Sequence, residues 1–441
     1  GLVRAGAGVT LERLLGFLDE HGTGLTSVPA VGQITLGGAL AIGGHGAAVP
    51  AVGEVGPAGD GYGSLSNQVV AVTAVAWEPS RAAYALRRFG RATPEGSVLA
   101  LHLGRAFLTE VVLRVGPARP LRCESIFDRP ASAVFAPPGR AGPDSFSGLL
   151  DRAGRVESIW FPFAERPWTK VWTVAPTKPA GSRQTTGPYN YAVTDRIPRV
   201  GAWLVDRVVA GDAPVTPLYT RAAAAVAEAG VVALGATDLW GPAHHTQLYI
   251  QATTLRYAEM GLAVRTRRRD VQRVVHELTA RWAGTIEAHH RRGRYPVNGP
   301  LELRASGLDL PDVAGVAGAD APWLSALRPH ADHPELDTMV WANVLTFPRT
   351  TGSHRYLTEL EGWARRTFVP PLGRLRAEWS KGWAYTARGP WTDDRAVTAS
   401  IPGDYRGPSA GRGDWDEARG VLDRLDPHRV FTNPFLDRLL P

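Results

Sequence analysis

A carboxylate and a guanidinium stand two residues apart in the run Leu301 to Ala305, LELRA. If this run is a strand, Glu302 and Arg304 project from the same face, because side chains alternate between the faces of a sheet. A carboxylate can accept a proton, and a guanidinium can stabilise developing negative charge without titrating. The same spacing suits a surface ion pair, which is the usual meaning of such a pattern. From spacing alone, both interpretations stay open.

A second unusual stretch is the glycine-rich segment from Ser27 to Pro50, SVPAVGQITLGGALAIGGHGAAVP. It holds six glycines between Gly32 and Gly46, and His45 is its only ionisable side chain. Glycine lets a ligand approach the main chain directly, so such a segment can cradle a cofactor. A flexible surface loop is the alternative. We favour a buried cofactor cradle, because large aliphatic residues alternate with the glycines.

Two further patterns match functional motifs only formally. The segment 407–411, GPSAG, fits G-x-S-x-G, but no strand is predicted before it and no helix after it, so it is not predicted to be a nucleophile elbow. Several histidines are close in sequence without metal-ligand spacing on a regular element, and we expect them to be solvated or capping residues: His244 and His245, His289 and His290, His330 and His333. No metal site is predicted.

The first part of the chain reads as a mixed α and β lobe. Thr10 can cap a helix whose leucines recur at 11, 14, 15 and 18, and His21-Gly22 can end it. Gln68 to Trp77 and Phe107 to Val115 are rich in Val, Leu and Ala and read as strands. The lobe is predicted to end near Gly116-Pro117.

Length and composition favour two domains of an ordinary globular kind. The chain has 441 residues, a hydrophobic content of 44% and a formal net charge of +7. Its densest basic run, Arg265 to Arg269, is followed by an amphipathic pattern, so we interpret it as a solvated helix start and predict no nucleic-acid partner. The single Cys123 excludes an intramolecular disulfide, and no apolar run is long enough to span a membrane.

The amino-acid composition changes after residue 117. Aromatic residues cluster at Trp160-Phe161, Trp168 and Trp172, and most of the 14 tryptophans lie beyond this boundary. Aromatic side chains suit a large apolar substrate, although core packing alone also explains tryptophans. We divide the chain into a first domain at 1–117, a central domain at 118–395 and a C-terminal segment at 396–441 that returns to the first domain.

Several long motifs, all in one order, then identify a family resemblance. The run TLGGALAIGGHGAAVP at 35–50, followed by YGSLSN at 62–67, resembles the covalent-flavin (type II) cholesterol oxidases of the vanillyl-alcohol oxidase flavoprotein family. The similarity extends to the end of the printed sequence through these motifs: IWFPFAERPWTKVWTVAPTKP at 159–179, TGPYNY at 186–191, QATTLR at 251–256, NGPLELRASGLD at 298–309, EWSKGWA at 378–384 and DPHRVFTNPFLDRLLP at 426–441.

The resemblance implies an α+β fold with a PCMH-type FAD-binding domain and a central α+β substrate-binding domain containing an antiparallel sheet. It implies FAD-dependent oxidation of a 3β-hydroxysteroid by O2, giving a ketone and H2O2, with isomerisation of the 5-ene to a 4-en-3-one. Oxidation of another bulky secondary alcohol and a non-catalytic sterol-binding remnant are the alternatives. A monomer with peripheral contact to sterol-bearing membranes is implied. Secretion follows by family analogy, and a cytoplasmic location is the alternative.

The resemblance also carries over individual residues. Glu302 and Arg304 match active-site residues beside the flavin, Glu157 matches a carboxylate that gates oxygen with the arginine, and Asn343 matches an amide facing the substrate hydroxyl. The implied cofactor-binding residues lie in the glycine-rich segment and at two later asparagines: Pro29, Gly37, Gly38, Ala39, Gly43, Gly44, His45, Gly46, Asn67 and Asn433.

One family element is missing from the sequence. In the family, an upstream segment with Arg-Gly and a histidine holds the FAD pyrophosphate, and that histidine bonds covalently to the flavin. No R-G-x-x-H occurs in the 441 residues, and His45 belongs to a different, downstream loop. We therefore expect the FAD-binding domain to be incomplete at its N-terminal side. We also expect this chain to bind FAD weakly or not at all, and without a covalent bond.

Overall fold

The structure is a computed structural model that describes residues 1–57, 59–191, 199–251, 254, 256–406 and 413–441. The helices within this part of the chain are α1 Leu11–Glu20, α2 Leu36–Ala41, α3 Pro94–Leu99, α4 Ala131–Val134, α5 Phe146–Ala153, α6 Arg199–Val209, α7 Thr216–Ala233, α8 Ala243–Gln247, α9 Val271–His290, α10 Ser353–Thr367, α11 Ile401–Gly403, α12 Trp415–Leu425 and α13 Pro434–Leu439. The strands are β1 Leu2–Gly6, β2 Thr23–Gly24, β3 Val69–Glu78, β4 Ala83–Gly90, β5 Phe107–Arg114, β6 Gly116–Pro117, β7 Leu121–Ile126, β8 Arg155–Trp160, β9 Trp168–Val174, β10 Arg183–Gln184, β11 Asp238–Gly241, β12 Ala258–Thr266, β13 Leu301–Ser306, β14 Thr338–Thr346 and β15 Gly373–Ala377.

The first part of the chain forms a four-stranded antiparallel sheet in the order β1-β5-β3-β4. The predicted helix and strands are confirmed, since α1 begins after Thr10, β3 covers 69–78 and β5 covers 107–114. The Thr10 hydroxyl accepts a hydrogen bond from the backbone N–H of Arg13, and the leucines at 11, 14, 15 and 18 are buried. We call this sheet and its covering helices the small-sheet lobe.

A nine-stranded sheet forms the centre of the second part, in the order β10-β11-β7-β9-β8-β13-β14-β12-β15. Every strand pair is antiparallel except β10 with β11. The predicted α+β class with antiparallel sheet is therefore confirmed. We call this part the large-sheet lobe.

The two faces of the large sheet differ in chemistry. Side chains such as Leu301, Leu303 and Val344 point into an apolar core under α5, α9 and α10. Because side chains alternate along a strand, the intervening residues of the same strands lie on the opposite face. That face carries Glu157, Lys170, Glu302, Arg304, Asn343 and Arg265. We call it the polar face.

The C-terminal segment packs into the core of the small-sheet lobe. Residues of α12 and α13, together with Val397 and Ile401, share one apolar cluster with α1, β3 and β5. A buried ion pair joins the two regions, because Nη1 of Arg105 donates to Oδ2 of Asp426 at 3.1 Å across 321 residues of sequence. The domain boundaries at 117/118 and 395/396 stay predictions.

Three sequence interpretations need correction or fall outside the described residues. The basic run is not a solvated helix start throughout, because Arg265 belongs to β12 and is fully buried, and α9 begins only at Val271. The expectation of solvated or capping histidines is wrong for His330 and His244, which are buried. The segment 407–411, with its G-x-S-x-G match, lies outside the part of the chain that the structure describes.

Two features are absent from the described residues: a helix that could span a membrane and a cluster of metal ligands. None of their helices combines the length and the apolar character that crossing a bilayer requires. They also contain no group of three or more His, Cys, Asp or Glu side chains that could hold a metal ion.

Candidate active site

Strand register brings the predicted catalytic residues together on the polar face. Arg304 of β13 lies opposite Glu157 of β8, and Glu302 lies opposite Asn343 of β14. Glu157 in turn lies opposite Lys170 of β9. The strand and the shared face predicted for Glu302 and Arg304 are confirmed, since β13 spans Leu301–Ser306.

Glu157 is the centre of a buried ionic network. Its Oε2 accepts hydrogen bonds from Nζ of Lys170 at 3.1 Å and from the hydroxyl of Tyr249 at 2.5 Å. Its Oε1 lies 3.5 Å from Nη1 of Arg304. Burial alone would raise the pKa of Glu157, but the charges of Lys170 and Arg304 and the Tyr249 hydrogen bond lower it. Glu157 is therefore held in its ionised form.

Lys170 is surrounded by aromatic rings. Its Nζ lies 2.9 Å from the ring centroid of Tyr249 and 4.6 Å from that of Trp168. Trp172 and Tyr191 lie within 6 Å of it. Burial lowers the pKa of Lys170, and the charge of Glu157 opposes that shift. Because the ammonium donates to Glu157, we assign Lys170 the role of fixing the charge and orientation of that carboxylate.

Asn343 links Arg304 to a further carboxylate. Its Oδ1 accepts a hydrogen bond from Nη2 of Arg304, and its Nδ2 donates to Oε2 of Glu378 at 2.6 Å. Glu378 follows β15 and is buried, and its Oε1 lies 4.0 Å from Nη2 of Arg304. Both ends of the Asn343 amide are thus occupied by protein groups. The predicted contact of this amide with a substrate hydroxyl stays a prediction.

His45 connects the glycine-rich segment to this cluster. Its Nε2 lies 3.5 Å from Oε1 of Glu378, and its ring stacks on Trp341 with centroids 3.7 Å apart and planes 12° apart. Burial alone would raise the pKa of Glu378, but the His45 hydrogen bond and the charges of Lys381 and Arg304 lower it to about 2. Glu378 is therefore ionised at neutral pH.

Glu302 behaves differently from the other carboxylates. Burial, together with the negative charge of Glu157, raises its pKa to about 7, although the charge of Arg304 opposes the shift. A carboxyl with this pKa can both accept and release a proton near neutral pH. Arg304 holds its proton more tightly than usual, because Glu157, Glu302 and Glu378 outweigh its burial and raise its pKa. No ion pair forms between Glu302 and Arg304, so the surface ion-pair interpretation is wrong.

A cleft opens beside this cluster. It encloses about 350 Å³ of empty space, including the part open to solvent. Its walls come from the glycine-rich segment and from the polar face, with the lining residues Val28, Ala30, His45, Gly46, Ala47, Glu157, Trp172, Gln247, Tyr249 and Arg304. The other side of His45 borders a smaller space shared with Glu378 and Trp341.

The glycine-rich segment packs tightly against its surroundings. A Cβ on Gly46 would lie 2.5 Å from the carbonyl oxygen of Val28, so only glycine allows the two segments to meet. Gly43 has a φ of +63°, a conformation that favours glycine. Of the predicted cradle residues, His45 and Gly46 line the cleft, and Gly43 and His45 line the smaller space. Gly37, Gly38 and Ala39 lie in α2, Pro29 precedes that helix and Gly44 follows it. The contact of all these residues with a cofactor stays a prediction.

The two predicted cofactor asparagines have structural partners. The Asn67 amide accepts a hydrogen bond from Nη2 of Arg91 and donates to the carbonyl of Leu310. Asn433 is the N-cap of α13 and accepts from the backbone N–H groups of Phe435 and Leu436. Their side chains therefore stabilise the fold locally, and their contact with a cofactor stays a prediction.

Sequence reasoning missed several members of the cluster. Glu378 and Lys381 lie in the quoted motif EWSKGWA, but the resemblance supplied no role for them. Nζ of Lys381 donates to Oε1 of Glu259 at 2.7 Å, which adds a second ion pair at the same end of the sheet. Lys170 also lies in a quoted motif, and its alternation with Trp168 and Trp172 along one strand could have placed it on the same face as these two rings. Its position opposite Glu157 follows from the pairing of β8 with β9.

The comparisons with known proteins agree with this geometry. A family model described as "Cholesterol oxidase, substrate-binding" matches residues 120–441. The chain belongs to the cholesterol oxidase family. A solved structure described as a solvent-stable cholesterol oxidase is 44% identical with a TM-score of 0.97, and the match covers 100% of this chain and 82% of that chain. A search of curated proteins gave no match.

Two structures of the cholesterol oxidase from Brevibacterium sterolicum are also similar. Each is 40% identical over 100% of this chain and 81% of that chain. The TM-score is 0.97 for one and 0.96 for the other, a histidine-to-alanine mutant. Cholesterol oxidases of this family are FAD-dependent oxidoreductases.

The donors and acceptors around the cleft fit FAD. Nε of Arg304 and Oε1 of Glu157 are buried and have no hydrogen-bond partner among the described residues. One is a donor and the other an acceptor, and the pyrimidine edge of a flavin carries N–H and carbonyl groups of both kinds. His45 and Gly46 border this cleft, and Gly43 and His45 border the smaller space on the other side of the imidazole.

Proposed function

We propose that this chain oxidises the 3β-hydroxyl of cholesterol or a related sterol to a ketone, with FAD as cofactor and O2 giving H2O2. We further propose that it isomerises the 5-ene product to the 4-en-3-one. The observation that carries the proposal is the placement of Glu302, with a pKa of about 7, beside Arg304 on the polar face of a cholesterol oxidase family member. The intact charged cluster argues against a non-catalytic remnant.

Each residue of the cluster has a proposed role. When bound, FAD would supply the hydride acceptor for oxidation of the carbinol carbon and the reductant for O2. Glu302 accepts the hydroxyl proton as the carbonyl forms, which its raised pKa allows near neutral pH. Arg304 stabilises negative charge without titrating. Asn343 orients the hydroxyl without adding charge, once its amide exchanges one of its present partners for the substrate.

Isomerisation needs a group that gives back the proton it takes. A proton leaves the carbon between the ketone and the double bond and returns to the far alkene carbon. Because the pKa of Glu302 is about 7, its carboxylate and carboxyl forms are both populated near neutral pH. Glu302 therefore suits this proton transfer as well.

Glu157 and Arg304 are proposed to control the passage of O2. Their charged atoms, Oε1 and Nη1, lie 3.5 Å apart at the wall of the cleft. A change of the Arg304 rotamer would open or close the gap between them. Lys170 and Tyr249 hold the carboxylate of Glu157 from the other side, so in this proposal Arg304 is the moving partner.

The test is direct. The full chain is loaded with FAD and mixed with cholesterol in air, while H2O2 is followed by a peroxidase-coupled assay and the conjugated enone by ultraviolet absorbance. Stoichiometric H2O2 and enone are expected. Sterol binding without turnover would favour the remnant. Turnover of other bulky alcohols but not of sterols would favour the second alternative.

We propose that FAD binds this chain without a covalent bond. The support is the absence of any R-G-x-x-H sequence in the 441 residues. Acid precipitation of the loaded protein should leave all flavin in the supernatant. Flavin that stays with the denatured protein would contradict this proposal.

We propose that the enzyme is a monomer, as the family resemblance implies. We further propose that it takes its sterol from membranes through the surface of α6 and α7. The support is a set of large apolar side chains exposed along the two helices: Trp203, Val209, Leu218, Val226 and Val232. Exposed apolar patches of this kind are typical of contact with other molecules or with lipid.

A further inference from the structure

Two buried arginines meet at the edge of the large sheet. Arg265 of β12 is 0% exposed and Arg376 of β15 is 5% exposed. Nη1 of Arg265 donates to the carbonyl oxygen of Arg328 at 2.8 Å, and Nη1 of Arg376 donates to the same oxygen at 3.4 Å. The two guanidinium groups are thus close neighbours, although like charges repel.

These guanidinium groups have unused donors. Nε and Nη2 of Arg265 and Nε of Arg376 are buried without a hydrogen-bond partner among the described residues. The hydroxyl of Tyr405, which is 3% exposed, also lacks a partner, and the guanidinium of Arg376 lies 4.6 Å from the centre of the Tyr405 ring. A buried donor without an acceptor is costly, so several such donors together need a common explanation.

Arg91 shows what a satisfied buried arginine looks like in this chain. It is 0% exposed, and each nitrogen of its guanidinium donates. The acceptors are the carbonyls of Ser66, Val69 and Asp320 and the amide oxygen of Asn67. The fold can therefore satisfy a buried guanidinium with neutral acceptors, and at Arg265 it does not.

The surroundings of the pair are strongly basic. Arg374 lies opposite Arg265 in the strand register, and its Nη1 donates to Nε2 of His330. None of the three arginines Arg265, Arg374 and Arg376 forms an ion pair with a carboxylate of the described residues. The carboxylate that acts on them electrostatically is Asp404, and burial raises its pKa. Positive charge therefore exceeds negative charge in this buried region.

We propose that Arg265, Arg376 and Tyr405 form a buried site for one small monovalent inorganic anion of chloride size. An anion accepts hydrogen bonds from all the unused N–H and O–H groups and balances the charge of the two arginines. The near-complete burial of the three side chains limits the site to a small ion. Arg265 and Arg376 lie on the polar face of the large sheet, because Arg376 lies opposite Ala263, two residues before Arg265 on β12.

The first test measures thermal unfolding of the full chain against sodium chloride, with sodium gluconate keeping the ionic strength constant. Chloride and bromide should raise the midpoint by about 2–5 °C along a saturating curve, since a ligand that binds only the folded state stabilises it. Arg265→Gln and Arg376→Gln should abolish this dependence. Arg91→Gln is the matched control: it loses stability, but its midpoint should still rise with chloride. A midpoint that is insensitive to chloride, or that responds only to phosphate or sulfate, would overturn the proposal.

The second test does not depend on whether a variant folds. Crystals of the unmodified chain are soaked in bromide, and anomalous diffraction is collected at the bromine edge. A peak within hydrogen-bonding distance of Arg265 Nε and Arg376 Nε is expected. Density there that fits only water, without an anomalous signal, would refute the anion site.

Discussion

Lys170 and Glu157 lie directly opposite each other on β9 and β8 and form an ion pair of 3.1 Å with both side chains almost fully buried. The pair lies behind the wall of the cleft, where Arg304 meets the other oxygen of the carboxylate. Charges buried in this way stabilise a protein only as a set, because removal of one leaves the others uncompensated. Lys170 therefore helps to set the charge of Glu157, a carboxylate that also pairs with Arg304 in the candidate active site.

Lys170→Met should separate the contribution of Lys170 to stability from its effect on the ionisation of Glu157. The variant removes the ammonium that holds Glu157 ionised, so the pKa of Glu157 should rise and the protein should lose about 3–5 kcal/mol of stability. The pH dependence of flavin reoxidation by O2 should shift upward, while anaerobic flavin bleaching changes less. Lys178→Met, at an exposed lysine, is the control and should alter neither. If Lys170→Met lowers the melting temperature without moving the pH profile, Lys170 has only a structural role.

Arg304 is the residue at which a structural and a catalytic role differ most. Arg304→Ala should slow both anaerobic flavin bleaching and reoxidation, because it removes the positive charge and the partner of Glu157. Arg304→Lys keeps the charge but not the planar fork, so it should preserve bleaching better than reoxidation. The measurements are stopped-flow mixing with sterol and then with O2. Arg122→Ala, which breaks a surface ion pair with Asp238, should cost about 0–1 kcal/mol and leave both rates unchanged. Wild-type rates in both steps for Arg304→Ala would refute the proposed site.

Asn343→Ala should slow flavin bleaching more than it weakens sterol binding. Loss of an aligned hydrogen-bonding group in a closed site costs about 2–4 kcal/mol in the barrier, roughly a hundredfold or more in rate. Asn298→Ala serves as the control. Its side chain hydrogen-bonds to Thr346, Thr350 and the backbone of Phe347, so this variant should lose stability but keep its rate of flavin bleaching. An unchanged bleaching rate would assign Asn343 a packing role.

The raised pKa of Glu302 predicts how the stability and the activity of the protein depend on pH. Its pKa rises from 4.5 in the unfolded chain to about 7 in the folded one, so the folded state binds more protons between these values. Stability should therefore fall as pH increases from about 4.5 to 7, by about 3 kcal/mol in total, and then stay level. Glu302→Gln should remove this slope from chemical denaturation curves. The activity of the unmodified chain should rise through pH 7, because Glu302 ionises there and can then accept the proton. Glu302→Gln should not show this rise. An unchanged slope in the variant would show that another group titrates.

The exposed surface of α6 and α7 predicts binding to lipid vesicles. Trp203 and Leu218 are 52% and 60% exposed, so their replacement costs the core little. The double variant Trp203→Glu, Leu218→Glu should lose most of its cosedimentation with cholesterol-containing vesicles. Its turnover of sterol dissolved in detergent should stay unchanged. Leu86→Glu on β4, at another exposed apolar residue, is the control. Equal vesicle binding by the unmodified chain, the double variant and Leu86→Glu would refute the proposed membrane contact.

The features that depend on neighbouring residues, such as strand alternation and helix spacing, were predicted correctly from the sequence. The alternation in LELRA placed Glu302 and Arg304 on one face, and the leucine spacing after Thr10 placed α1. The network around Glu157 depends instead on which strands become neighbours, and no local pattern pairs β8 with both β9 and β13. Arg265 was misinterpreted for a related reason: a run of arginines suggests solvent, but the groups that bury this one come from positions near 328, 376 and 405. The asparagines at 67 and 433 were inferred from the family alone, and their caps and bonds appear only in three dimensions.

The buried pair of Arg105 and Asp426 has a consequence for how the protein is made. The small-sheet lobe begins at the N-terminal end of the chain, but its core requires α12 and α13. At 5–20 residues per second, a ribosome needs roughly 16 to 64 s to add the 321 residues that separate the two partners. During that time the first sheet emerges with an uncovered apolar surface and the Arg105 guanidinium without its carboxylate. The nascent chain is therefore a natural client for chaperones, and fragments that stop before α12 should aggregate rather than fold.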